Sequence, residues 1–416
     1  MPKTNYFPSG GEGWERLHAG PLSCHVEDYA VWLADQGYAR VTGRQKLRLV
    51  GQFNHWVGDR GLDLSAVDEE LLERFRISRS RLGKATASVS TDGRQFLAWL
   101  RDTARLAPLE QEPSHHDPVM ETVQQYERFL IDERGARPRT VQTYVSTVRA
   151  FLGECFDSRR QDLGSVDCSH LNGFIRQSCR TQCPATTRVQ VAALRSFARY
   201  LYRSGIVTAD ISDGMGRVST YRLSSLPTAL EPDQVEAMLG SCNRETATGR
   251  RDYSVLVLLA MLGLRSCEVV HLTLDDIDWS NGTIAVAGKG GRHDVLPLPH
   301  QVGDALAAYL QGGRPSCATR RVFVRRYPPF HGFRSSAAIG HIVRRAFARA
   351  GVERSGRGAA HLLRHSLATG MLRNGASLEE IGQILRHRSP DSTRIYAKVD
   401  LDALRPLAPT WPGGAP

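Results

Sequence analysis

The chain has no run of eighteen consecutive apolar residues, so no membrane-spanning helix is expected. Its first residues, MPKTNYFPSGGEG, are polar and glycine-rich, unlike a signal peptide, so a cytoplasmic protein is expected. Cysteines are few and scattered: the eight thiols, at 24, 155, 168, 179, 183, 242, 267 and 317, suit a reducing compartment better than a disulfide framework. Only Cys179 and Cys183 lie close together, with His170 upstream, and helical spacing accounts for that pair, so neither metal nor cofactor is expected. Acidic residues are outnumbered, 43 against 54 Lys and Arg, which leaves a formal net charge of +11 and a sequence pI near 9.5. That balance favours a polyanionic partner such as nucleic acid. A length of 416 residues calls for two or three compact units.

The N-terminal half repeats itself at an offset of about 97 to 101 residues. Tyr29, Trp32 and Leu33 recur as Tyr126, Phe129 and Leu130; Thr42 and Phe53 recur as Thr140 and Phe151; Leu72 and Phe75 recur as Leu171 and Phe174. LDLSAVD is echoed by QDLGSVD, and RQFLAWL by RSFARYL. Apolar residues recur at helical spacing, as in Val191, Leu194, Phe197, Ala198 and Leu201, so each copy reads as a small helical bundle. Arg40, Arg44, Lys46 and Arg48 in the first copy, and Arg137, Arg139 and Arg149 in the second, are assigned to polar faces. Singly each is a solvated charge; together they suit a DNA backbone. The boundaries follow: a polar tail over 1–20, a first module over 21–105, a second over 116–215, and a linker over 219–231. A catalytic domain over 232–397 and a tail over 398–416 complete the chain.

In the third segment, DYSVLVLLAML is apolar almost all round, which predicts a buried helix ended by Gly263 and leading to Arg265. A second helix runs through Glu268, then a strand pair, TIAVAG and DVLPLP, is joined by the glycine-rich turn GKGGRHD. Glycines explain the turn but not Lys289 at its tip. RVFVRR reads as one more short strand, and residues 335–350 as a basic amphipathic helix with Ile339, Ile342, Val343 and Phe347 inward. The fold class is therefore mainly α with a small β-hairpin sheet: two helical modules followed by a mixed α+β domain.

From His361 to Tyr396 three helices are expected. The first sets His361, Arg364 and His365 on one face and ends at Gly375. The second opens on the capping box SLEE and is followed by His387. The third, started by Ser389, Pro390 and Asp391, carries Tyr396 about two turns in. Each of these residues has a structural reading when taken singly. Their spacing suits a phosphodiester: guanidiniums neutralise non-bridging oxygens, a phenol can attack, and a lysine or imidazole can carry the proton a leaving oxygen needs.

GLRSCEVVHLTLDDIDW, GKGGRHDVLPLP, HLLRH and LRHRSPDSTRIYAKVD, in that order, resemble the catalytic boxes of the tyrosine recombinases, the phage integrase family; the likeness spans about 185 residues from Pro232 onward. The resemblance implies an enzyme in which Tyr396 attacks a DNA phosphate, forms a 3′-phosphotyrosyl link and frees a 5′-hydroxyl. Arg265 and Arg364 would bind the phosphate and Lys289 would protonate the leaving oxygen. His361 and His387 would assist, with Glu268 and His365 in support. At Arg386 the family commonly has glycine; Arg386, Arg292, Arg137 and Arg139 are candidates for DNA contact. The partners implied are double-stranded DNA and copies of the same chain, as a tetramer on two sites, with accessory recombinases. LRHRS with YAKVD points to recombinases of transposons and other mobile elements. The second module matches the family's core-binding module. The first is extra: a duplicated clamp, a partner-binding domain or a decayed copy. The tail, through Leu401 and Leu404, would dock on a neighbouring protomer or hang free. Two other readings remain open, a non-catalytic DNA-binding accessory paralogue and a type IB topoisomerase.

Overall fold

The computed structural model describes residues 6, 17, 20–82, 89–106, 118–155, 162–218, 228–288, 293–353 and 358–399. These fall into two compact units, one of residues 109–224 and one of residues 1–108 together with 225–416. Among the described residues no helix is long and apolar enough to cross a membrane.

The first module is built from α1 (Ser23–Asp35), α2 (Arg40–Gly58), a 3₁₀ turn at Leu64–Ala66, α3 (Glu69–Arg81) and α4 (Arg94–Asp102). Asp68 caps α3 by accepting the Leu71 N–H at 2.6 Å. Lys46 departs from its expected place on the polar face. It is 7% exposed, with its ammonium donating to Asp92 and to Gln95, because a buried amine must be paired. This module shares its unit with residues 225–416, and Gly37, at φ +80°, lies against the ring of Phe330.

The second module repeats the order: α5 (Pro118–Arg128) continued by a π-turn at Phe129–Glu133, α6 (Pro138–Cys155), a 3₁₀ turn at Leu163–Ser165, α7 (Cys168–Thr181) and α8 (Pro184–Arg203). The repeat extends to ring geometry. Tyr29 meets Phe96 edge-on at 4.9 Å and 66°, and Tyr126 meets Phe197 edge-on at 5.1 Å and 71°. Both tyrosines are wholly buried, so the aromatic spacing read from the sequence is the spacing of two cores.

The rest of the chain forms α9 (Pro232–Gly240), α10 (Ala247–Met261), α11 (Ser266–His271), β1 (Ile277–Asp278), β2 (Thr283–Ala287), β3 (His293–Pro297), α12 (His300–Gly312), α13 (Ala337–Ala350), α14 (Ala359–Arg373) and α15 (Leu378–Ile384). Helix α10 is the hub. Val255 to Leu259 are all 0% exposed, since the helix packs against α12 on one side and α14 on another. The strands form one antiparallel sheet in the order β1-β2-β3, with Ala285 opposite Val295 and Val286 opposite Asp294.

Two expectations fail here. RVFVRR forms only isolated bridges, Thr273 with Arg321 and Val324 with Gly332, because no neighbouring strand runs long enough to pair with it. The third helix of the C-terminal stretch is not α-helical. Ser389 caps and Pro390 starts it as expected, but the chain makes two 3₁₀ turns, Pro390–Ser392 and Arg394–Val399.

Leu258 is fully buried in the middle of α10, and truncation there leaves a cavity the packed helices cannot fill. Leu258→Ala should lower stability by about 2–5 kcal/mol, read from the denaturant midpoint; a loss below about 1 kcal/mol would contradict the hub role of α10.

Candidate active site

The site begins where α10 stops. Gly263 turns the chain at φ +57°, and a Cβ there would come within 2.8 Å of Leu385 and 3.0 Å of Leu367, so glycine alone fits. The turn delivers Arg265 in extended conformation at the start of α11. Its backbone N–H donates to Glu268 Oε2 at 2.7 Å, and its guanidinium Nη1 to Glu268 Oε1 at 2.7 Å. Glu268 is 4% exposed and takes a second guanidinium, Arg386 Nη2, on Oε2 at 2.8 Å. Burial by itself raises the Glu268 pKa, but the Arg265 amide and the charges of Arg386 and Arg265 outweigh it and hold the carboxyl below its usual range.

Arg364, on the first turns of α14, is 4% exposed. Its guanidinium donates to the backbone carbonyls of Gly263 and Leu385, which pins it between the end of α10 and the end of α15. Burial first, then the charges of Arg265 and Arg386, bring its pKa down to about 10, so it stays protonated at neutral pH. Three guanidiniums thus face one carboxylate.

Three imidazoles surround them. His361 is exposed at the start of α14; desolvation, then Arg364 and Arg265, hold its pKa below normal. His387 Nδ1 lies 2.7 Å from Thr393 Oγ1, and its backbone N–H donates to the Gly382 carbonyl at 2.9 Å. Burial and then Arg364 and Arg265 push its pKa down to about 4. His365 Nδ1 lies 2.8 Å from the Tyr396 hydroxyl, and desolvation with the charges of His361 and Arg364 lowers its pKa as well. All three imidazoles are therefore neutral at pH near 7.

Tyr396 sits in the second 3₁₀ turn, 1% exposed, in a small core with Ala368, Ile381 and Leu385. Burial pushes its pKa up to about 12, with Arg364 pulling the other way. The phenol is thus protonated and turned inward, its hydroxyl on His365.

The structure brings together Arg265, Glu268, His361, Arg364, His365, His387 and Tyr396. Arg386 joins them, which corrects its assignment to a DNA-facing surface: its side chain is 5% exposed and paired with Glu268. Lys289 and Arg292 lie outside the described residues; strands β2 and β3, before and after them in the chain, are defined. Arg137 and Arg139 are exposed at the start of α6, in the other compact unit. Sequence reasoning missed three supports: Thr393 beside His387, Asp294 near Arg386, and the two carbonyls that hold Arg364. Nothing in local sequence marks a carbonyl as a ligand for a side chain 21 or 101 residues away.

A fold with a buried helix hub, a three-stranded sheet and this cluster of arginines, imidazoles and a phenol is that of the tyrosine recombinases. Residues 228–402 match the phage integrase family model and residues 123–205 match that of the phage integrase N-terminal SAM-like domain. The chain belongs to the phage integrase family and is an enzyme that cleaves and rejoins DNA strands. It is 40% identical to the integrase/recombinase designated y4rA of Sinorhizobium fredii (strain NBRC 101917 / NGR234), over 99% of each chain. It is 31% identical to the tyrosine recombinase XerD of Listeria innocua serovar 6a, over 65% of this chain and 91% of that one. Among solved structures it resembles the XerH site-specific recombinase bound to a palindromic difH substrate, with TM-score 0.55 and 21% identity over 76% of this chain and 94% of that chain. It also resembles the lambda integrase tetramer bound to a Holliday junction, with TM-score 0.51 and 15% identity over 71% and 86%.

The lowered His387 pKa has a stability consequence. The unfolded chain binds a proton there at about 6.5 and the folded chain at about 4, so between those values the unfolded state holds more protons. The stability due to the neutral imidazole is present above about pH 6.5 and is lost as the pH falls toward about 4. His387→Asn should therefore lose less stability than the wild type between about pH 7 and about pH 5, by urea denaturation. An equal loss in both proteins would contradict the assignment.

Proposed function

We propose that this recombinase acts at specific DNA sites through a covalent link between Tyr396 and a 3′-phosphate. The observation that carries the reading is the convergence of surplus guanidinium charge with a phenol whose hydroxyl is already hydrogen-bonded to a neutral imidazole. In the proposed step the Tyr396 oxygen forms a bond to phosphorus as the bond to the 5′-oxygen breaks. His365 Nδ1 takes the phenol proton, and Lys289 gives its proton to the departing oxygen. Arg265 and Arg364 hold the non-bridging oxygens as charge builds on them, with His361 and His387 as further neutral partners. The second step reverses these proton transfers when a 5′-hydroxyl attacks the tyrosyl link. No step calls on a metal or a cofactor.

Double-stranded DNA is the partner in this reading, with the basic modules on its backbone and Arg137, Arg139 and Arg292 as contacts. A homo-oligomer, a tetramer on two paired sites, is supported by the lambda integrase tetramer named above. A mobile-element origin rests on LRHRS and YAKVD. A cytoplasmic location suits the substrate.

Nicked duplexes tiled across the DNA that flanks the gene serve as suicide substrates. The wild type should form a covalent adduct on a denaturing gel and Tyr396→Phe none; an adduct that persists in Tyr396→Phe rules out the nucleophile. Lys289→Ala should slow cleavage by about a hundredfold or more, the usual worth of a general acid. A 5′-thiol leaving group needs no proton and should restore the rate, whereas no recovery would remove Lys289 from that role.

A further inference from the structure

We propose that Arg386 is a positioning residue of this site, one that holds Glu268 and Arg265 in register with each other and with strand β3. The proposal rests on the reading of the site given above. Its starting observation is backbone conformation. Arg386 has φ +54°, one of two non-glycine residues with positive φ among those described. An L-residue there carries backbone strain that glycine avoids. A strained position that nonetheless carries a long charged side chain, almost wholly buried, points to a use for that side chain.

The geometry says what the use is. Glu268 has two oxygens, and Arg265 approaches both: its guanidinium on Oε1 and its backbone N–H on Oε2. Arg386 Nη2 shares Oε2 at 2.8 Å. With that oxygen occupied, the Arg265 guanidinium is held by one bond to Oε1 rather than forked across the carboxylate, and the N–H groups it does not spend on Glu268 and the Arg386 carbonyl are left for an incoming phosphate. A fully forked pair would leave less of its charge for substrate. The Arg386 carbonyl accepts from Arg265 Nη2 at 3.4 Å, so one residue holds Arg265 from two directions.

The third arm reaches the sheet. Arg386 Nε is buried without a hydrogen-bond partner, and Asp294 Oδ2 stands 3.9 Å away, within ion-pair reach but beyond a good hydrogen bond. Asp294 is the second residue of β3, opposite Val286, five residues after Lys289 in the chain. That approach ties the arginine pocket to β3, the strand that begins four residues after Lys289 in the chain. Arg386 touches no reacting atom in this account; it acts through Glu268 and Asp294.

The test uses the full-length chain on the nicked substrate, with single-turnover cleavage rate and half-saturating DNA concentration read separately. Arg386→Gly suits the backbone and removes the guanidinium; it should cleave about 10–100-fold more slowly with half-saturation changed less than about twofold, and Arg386→Lys should recover part of the rate. In a Glu268→Gln background, adding Arg386→Gly should change the rate by less than about twofold, because the two act as one unit. Asp294→Asn, at a half-exposed strand position that tolerates substitution, should slow cleavage of the ordinary substrate but not of the 5′-thiol one, and it decides the matter if the glycine variant fails to fold. A wild-type rate in Arg386→Gly, a loss confined to DNA affinity, additive losses with Glu268→Gln, or equal behaviour of Asp294→Asn on both substrates would each overturn the proposal. Those outcomes leave the Tyr396 adduct intact, whereas a wild type that forms no adduct at all sinks the underlying reading.

Discussion

The site depends on one buried carboxylate. Glu268 is almost wholly enclosed, yet it stays ionised because an amide and two guanidiniums converge on it. Removing either cation would leave a buried charge half-paired, which costs far more than the pair itself contributes. The carboxylate answers only part of the positive charge around it, since Arg364 is held by carbonyls, which fix its direction without cancelling its charge. The result is a pocket with surplus positive charge, its donors already oriented. Such a pocket favours a species that gathers negative charge on several oxygens at once, as a phosphodiester does on the way to its transition state.

The phenol of Tyr396 is arranged on the opposite principle. Tyr396 is on a short 3₁₀ turn rather than a long helix, and its hydroxyl points inward to His365 instead of outward to solvent. The phenol is enclosed in a small core with Ala368, Ile381 and Leu385, so packing as well as the bond to His365 fixes where its hydroxyl points.

Much of this was readable in the sequence, for identifiable reasons. The apolar run of α10 and the glycine after it predicted a buried helix and its end, because burial on all sides and a left-handed turn each leave an unambiguous mark. The repeat was readable because the same aromatic positions fill two separate cores. The capping box of Ser377 and Glu380 appears as expected, each side chain bonded to the other's backbone N–H. What escaped were charged residues turned inward. Lys46 and Arg386 were both read as surface bases, since nothing local distinguishes a buried base from a solvated one; the partner that admits it, Asp92 or Glu268, is distant in sequence. The 3₁₀ turns at the C-terminal end escaped for a related reason: cap residues announce where a helix starts, but only packing decides whether it continues.

The central claim is that the guanidinium pocket held by Glu268 serves attack by Tyr396 itself. Mapping the covalent product tests it most directly. After nuclease trimming and trypsin digestion of a trapped complex, mass spectrometry should find the nucleotide on the peptide of residues 395–398, IYAK, with the added mass on Tyr396. A nucleotide carried on any other residue would contradict the account.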